Sequence, residues 1–409
     1  MITSRERVMR ALNFQPVDRV PRDLAGMRST GISVFAYPRL VEALGLPPRL
    51  PRAEDTWQML ALPELDVLDE LGVDVVTIAD DATNAFDQPG LWKPYDFGGR
   101  LPAVVRDPSA FAEEPDGTIV HGRTRMLPSS FVFDEIHGGQ PLDLIADIPK
   151  PDLDQIRRAL DARLLTDAQV EAKREFYQQV REATDRAVFL NEGAVQMPIA
   201  IDGWGGLGVF PVLCVLEPEH IRALHEIYAE YTEYNLRALL SAVGPYVDII
   251  MMAADDWGTQ NTTIASPQVC RDLFAPYWRR LNDAVHEVAP ETKTFMHSCG
   301  AIYDVIDLMI DSGFDILNPV QWCAGAHSYR EWKDRARGRI VLWGGGVDSQ
   351  HTLPLGTVDD VIAEVQEVVS YMAQDSGFVF CNIHNIMAEI APEKVIAMYR
   401  TAGEVRLPR

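Results

Sequence analysis

Eight times along this chain a short apolar run closes on polar or glycine residues, and longer stretches of helical period stand between the runs. The runs fall at 19–23, 73–79, 187–190, 247–253, 293–297, 315–320, 340–344 and 378–381. Helical stretches are clearest in the second half, at 266–288, 302–310, 358–372 and 392–401. Strands alternating with helices imply an α/β fold with a parallel sheet, and eight such units imply a closed (β/α)8 TIM barrel. An open doubly wound sheet is the alternative, but no Gly-x-Gly-x-x-Gly directly follows an early run. Residues 1–409 then form a single barrel domain.

Three stretches decorate that rhythm. Thr3 and Glu6 have capping-box spacing, which predicts an N-terminal helix over 3–15 ending before Pro16. Residues 84–150 lack helical period and carry Gly, Pro and aromatic residues, which predicts a β-rich insertion after the second strand. Residues 152–182 are charged and helical, as an outer helix leading into the third strand should be.

Composition narrows the partners. Sixty acidic residues against 37 Lys and Arg give a formal charge of -23, which argues against nucleic acid and anionic membranes. The five cysteines (214, 270, 299, 323, 381) are odd in number and sparse, so no disulfide framework is expected, and a reducing compartment is. No secretory leader and no run of membrane-spanning length is present, so the expected location is cytoplasmic.

In barrels of this kind the working residues sit where strands end. The second run ends in Asp80-Asp81, the third in Asn191-Glu192, the fourth in Asp255-Asp256, and the fifth in His297-Ser298-Cys299-Gly300. The sixth reaches Asn318 and Gln321, the seventh Asp348 after three glycines, and the eighth Cys381, His384 and Asn385. His297 and Cys299 are two residues apart, so along a strand both face one side, and imidazole with thiolate suits zinc. His384 or Cys381 can supply a third ligand, the choice being open. Asp255, Asp256 and Asp348 are candidate catalytic carboxylates. Asp80, Asp81, Glu192, Asn318, Gln321 and Asn385 are candidate substrate contacts. Competing structural roles are buried core histidine and thiol, helix caps, loop-stapling amides, and glycines serving only a turn.

The opening Thr3-x-Arg5-Glu6-Arg7-Val8, with Pro16-Val17-Asp18-Arg19-Val20-Pro21, resembles the start of uroporphyrinogen decarboxylase superfamily proteins. So do Phe295-Met296-His297-Ser298-Cys299-Gly300, Gly313 to Gln321, Gly344 to Asp348, and His384-Asn385-Ile386 with Pro392-Glu393 and Met398-Tyr399. One branch of that superfamily decarboxylates uroporphyrinogen without metal, gripping carboxylates with an Arg-Gln-Ala-Gly-Arg motif. The corresponding stretch here is Leu24-Ala25-Gly26-Met27-Arg28-Ser29-Thr30-Gly31, with one arginine. The other branch, the zinc-dependent corrinoid (methylcobamide) methyltransferases, uses His-x-Cys and a later Cys as zinc ligands. Here the later position holds His384, with Cys381 three residues earlier. The resemblance therefore implies methyl transfer between a corrinoid protein and a thiol or folate acceptor at a zinc site, with a homodimer also expected. The alternative is a metal-free decarboxylase-like lyase with Asp80 or Asp81 as its acid. A corrinoid carrier is disfavoured, because no Asp-x-His-x-x-Gly motif occurs.

Overall fold

The computed structural model describes residues 2–135 and 150–407. Its centre is one curled sheet of eight strands. Seven are parallel and lie side by side in chain order: Val75–Ala79, Ala187–Asn191, Ile249–Ala254, Lys293–His297, Ile316–Asn318, Val341–Trp343 and Phe378–Val379. The eighth, Ala82–Thr83, turns back antiparallel on the first. Residues 20–23 form no long strand but bond to both sides of the sheet. Phe380 donates to the Pro21 carbonyl and Asp23 to the Phe380 carbonyl, while Asp74 donates to Arg22.

Strand alternation divides the core in two. Val75, Phe189, Met251, Phe295, Ile316, Val341, Trp343 and Val379 pack against one another inside the curl. Their chain neighbours Val76, Val188, Met252, Met296, Leu317, Leu342 and Phe378 pack outward under the helices. Phe189, Phe295 and Trp343 meet edge to face at centroid distances of 4.8–5.9 Å. The N-terminal helix, Ser4–Leu12, plugs the curl with Val8 and Leu12. Thr3 caps it by accepting from the Glu6 N–H. It stops three residues short of the expected end, because Phe14 takes a positive φ of 55°.

Several elements differ from the sequence reading. The expected helix over 152–182 is two helices, Leu153–Asp161 and Asp167–Ala183. Pro218–Val243, the longest helix described, was not anticipated. The 266–288 stretch is helical but carries a π turn over Cys270–Phe274. Within 84–135 the chain makes a two-stranded sheet (Lys93–Asp96 with Pro102–Val105) and a four-stranded one running from Phe111–Glu113 to Asp134–Glu135. The remainder of the anticipated insertion, 136–149, lies outside the described residues. No helix among the described residues is long and apolar enough to cross a membrane.

Candidate metal centre and pocket

Phe295 points into the curl, so His297, two residues on, points the same way at the strand's C-terminal end. Sheet register sets Asn318 directly beside His297. The amide does two things at once. Its Nδ2 donates to the Trp343 carbonyl at 2.9 Å, which leaves Oδ1 to accept from His297 Nδ1–H at 2.6 Å. That fixes the tautomer: Nε2 carries the free lone pair. Nε2 faces Cys299 Sγ at 3.4 Å. The His384 ring lies 5.5 Å from that of His297, centroid to centroid. One donor atom from each of His297, Cys299 and His384 falls within 4.8 Å of the others.

The loop carrying Cys299 is held by several bonds. Ser298 N–H donates to the Asn318 carbonyl, Cys299 N–H to Asp256 Oδ1 at 2.8 Å, and Gly300 N–H to Gln321 Oε1 at 2.7 Å. Gly300 has a φ of 86°, and a Cβ there would lie 2.3 Å from the Gly258 backbone, so only glycine fits. Burial, and secondly the Asp256 carboxylate, push the Cys299 thiol well above its ordinary pKa. Burial holds His384 down at about 4, a neutral imidazole with its lone pair available. Two imidazoles and a thiol, one imidazole oriented from behind by an amide, are a donor set that suits zinc. A zinc held by these three residues would keep a fourth position open, as in catalytic sites.

The two histidines of that trio line a pocket of about 610 Å³. His297, His384, Asp134, Asp256, Asp202 and Asn385 are among its polar lining, and Trp57, Leu60, Phe131, Phe133, Ile386 and Met387 give it apolar walls. Asn385 also ties its segment down, accepting from Gly31 N–H and donating to Gln58.

The other anticipated residues are placed elsewhere. Cys381 lies in the core inside the curl, fully buried, with its Sγ–H against the Asn382 carbonyl. It continues the inward alternation of Val379, one step deeper than His384, and so is not in the trio. Asp255 is also buried, accepting from Ile201 N–H at 2.5 Å and Trp257 Nε1–H at 2.6 Å. Burial raises its pKa well above the carboxylate range. Asp255 therefore anchors the loop rather than facing the pocket. Asp348 caps its own turn, accepting from Gln350 and His351. The glycines before it allow close packing: a Cβ on Gly344 would lie 2.8 Å from the Asn382 carbonyl oxygen.

Asp80 accepts from Gly193 N–H and lies 3.6 Å from Arg28; Asp81 pairs with Arg106 at 3.0 Å. Glu192 is buried against Lys173 and the Tyr177 hydroxyl. None of these six lines the pocket. Asn318 and Gln321 act behind it, on His297 and on the Cys299 loop. Sequence reasoning missed Asp202 and Trp57, which sit in irregular loops where periodicity carries no signal.

A curled parallel sheet with helices outside it and a His-Cys-His trio at its C-terminal rim defines an α/β protein with a candidate metal centre. Residues 210–405 match the sequence model of the family described as uroporphyrinogen decarboxylase (URO-D). The superfamily resemblance is thus shown across the stretch that carries the trio. No curated protein matches the sequence. Among solved structures, a methyltransferase from Methanosarcina mazei is similar over 99% of both chains, at 18% identity and a TM-score of 0.55, which establishes a shared fold. An endo-glycoceramidase II from Rhodococcus sp. matches over 58% of this chain and 64% of its own, at 15% identity and a TM-score of 0.32. A Thermobacillus composti GH10 xylanase matches over 58% and 83%, at 10% and 0.31. The latter two are too distant to carry any argument.

Proposed function

We propose that this protein is a (β/α)8-barrel methyltransferase, moving a methyl group between a corrinoid protein and a thiol or folate acceptor at a zinc held by His297, Cys299 and His384. The observation that carries this is the trio itself: two imidazole nitrogens and a thiol sulfur within 4.8 Å, one imidazole with its tautomer fixed, beside a pocket that both histidines line. Full-length likeness to the Methanosarcina mazei methyltransferase favours the transferase branch. When bound, zinc lowers the pKa of a coordinated thiol, making it a nucleophile at neutral pH. Asn318 holds His297 in the ligating tautomer, Asp256 and Gln321 hold the Cys299 loop, and the apolar walls exclude water. Five free cysteines fit a reducing, cytoplasmic setting.

The metal-free lyase fares worse. Arg28, the lone arginine where a carboxylate clamp would stand, is bonded to Glu54 at 2.9 Å and does not line the pocket. No Lys or Arg among the described residues lines the pocket, so nothing there grips a polycarboxylate. Metal analysis of purified protein tests the proposal. About one zinc per chain is expected, lost in Cys299→Ser. Native protein that is metal-free and takes up none would refute it.

A further inference from the structure

The pocket's charge is one-sided. Asp134, Asp202 and Asp256 line it, and no lysine or arginine does among the described residues. Elsewhere three buried carboxylates have basic partners: Asp74 has Arg7 and Arg19, Asp248 has Arg5 and Arg181, and Glu192 has Lys173, while the buried Asp23 and Asp255 are held by N–H donors instead. Among the described residues Asp256 has the Cys299 N–H and thiol and a His297 nitrogen 3.6 Å away, but no Lys or Arg. Asp202 is exposed and, among the described residues, bonds to no side chain. Three carboxylates lining one cavity, with no lysine or arginine among the described lining residues, leave a negative field that a ligand can neutralise.

The aromatic walls point the same way. Trp57 is 55% exposed at the pocket edge, an unusual state for so large an apolar side chain. Phe131 and Phe133 share that wall. Indole and phenyl faces attract cations, and aromatic surface beside carboxylates is a common way to hold an ammonium group. A third observation concerns an imidazole. His384 is mostly buried and makes no hydrogen bond, and its ring faces the same space. The pocket thus suits a ligand with two different ends: one for the imidazoles, one for Asp202 and the aromatic side chains.

We infer that the acceptor is a small thiol carrying a positively charged amine, its sulfur directed to His297, Cys299 and His384 and its ammonium held by Asp202 and Trp57. The inference rests on the methyl-transfer proposal for the role of the sulfur, but not for the charge preference. It removes folates and sulfonated or carboxylated thiols as favoured acceptors, since each would bring an anion to a wall of aspartates.

Matched two-carbon thiols test it. Binding of cysteamine, 2-mercaptoethanol and 2-mercaptoethanesulfonate to the protein as purified, measured by calorimetry near pH 7, should fall in that order. Cysteamine should bind at least tenfold more tightly than the sulfonate. Asp202→Asn should cut that preference severalfold, and Trp57→Ala should weaken cysteamine with little change for 2-mercaptoethanol. Both side chains are exposed, so neither change threatens the fold. Equal or tighter binding of the sulfonate, or an unchanged preference in Asp202→Asn, would overturn the inference. Ethanolamine and isethionate carry the same charges without a thiol. A cation preference between them, in protein that binds no zinc, would uphold the charge reading while the methyl-transfer proposal fell.

Discussion

Asn318→Ala isolates what orients the metal ligands. The side chain is fully buried and bonded at both ends, to His297 Nδ1 at 2.6 Å and to the Trp343 carbonyl at 2.9 Å. Truncation orphans two buried polar groups, at about 1–3 kcal/mol each. It also frees the His297 ring to rotate and to move its proton to Nε2, the atom that faces Cys299. Loss of such an outer hydrogen bond costs 10–100-fold in metal affinity, or about 1.4–2.8 kcal/mol. Asn191→Ala is the control. Asn191 is likewise a buried amide at a parallel strand's end, but it bonds the Gly26 carbonyl and Thr77 and touches no ligand. Urea unfolding should show comparable destabilisation of both metal-free variants. Competition with a chromophoric chelator should show weakened zinc binding in Asn318→Ala alone. Equal metal loss in both, or wild-type affinity in Asn318→Ala, would refute tautomer control by Asn318.

Two further outcomes follow from the core. Cys381→Ala should keep a full complement of metal while losing about 1–2 kcal/mol of stability to the small cavity left behind; metal loss by atomic spectroscopy would return Cys381 to the ligand set. Asp23 is fully buried, and burial pushes its pKa up to about 6 against the hydrogen bonds from Gly26 and Trp343. A raised folded-state pKa contributes stability below the unfolded value near 4 that is lost as pH climbs through 6, about 3 kcal/mol in all. Urea titrations between pH 4 and 7 should therefore show a decline that Asp23→Asn lacks, and an identical slope in that variant would count against the assignment.

What the sequence disclosed follows from where its periodicities are enforced. The run 293–297 matches the structure's strand end to end because its alternate residues serve two different cores, and its neighbours pair with it on both sides. The 19–23 run was legible as apolar but not as irregular, since its bonds to both sides of the sheet depend on closure. Pro218–Val243 was legible and overlooked: Ile221, Leu224, Tyr231, Leu236, Leu239 and Val243 keep helical spacing and are buried. The third ligand was ambiguous because the last run looks four residues long, whereas only Phe378–Val379 forms strand. Beyond Val379 one inward step reaches Cys381 in the core, and His384 meets the trio only through an irregular rim segment.

The rim carboxylates show why composition alone misassigns a site. An apolar run ending in Asp or Glu marks a strand's C-terminal end, where a free acid, a loop anchor and an ion pair leave the same trace in sequence. Distance to a base or to backbone donors separates them. Asp80, Asp81 and Glu192 have Arg28, Arg106 and Lys173, while Asp255 and Asp348 hold N–H groups of nearby loops. With 60 acids to 37 bases the chain must leave carboxylates unpaired, and most of them can do so cheaply in water. Asp202 and Asp256 line one pocket that no Lys or Arg among the described residues lines, so their charges add there. The acidic excess visible in the sequence thus becomes informative only where the fold gathers carboxylates around one cavity and places no counter-ion beside them.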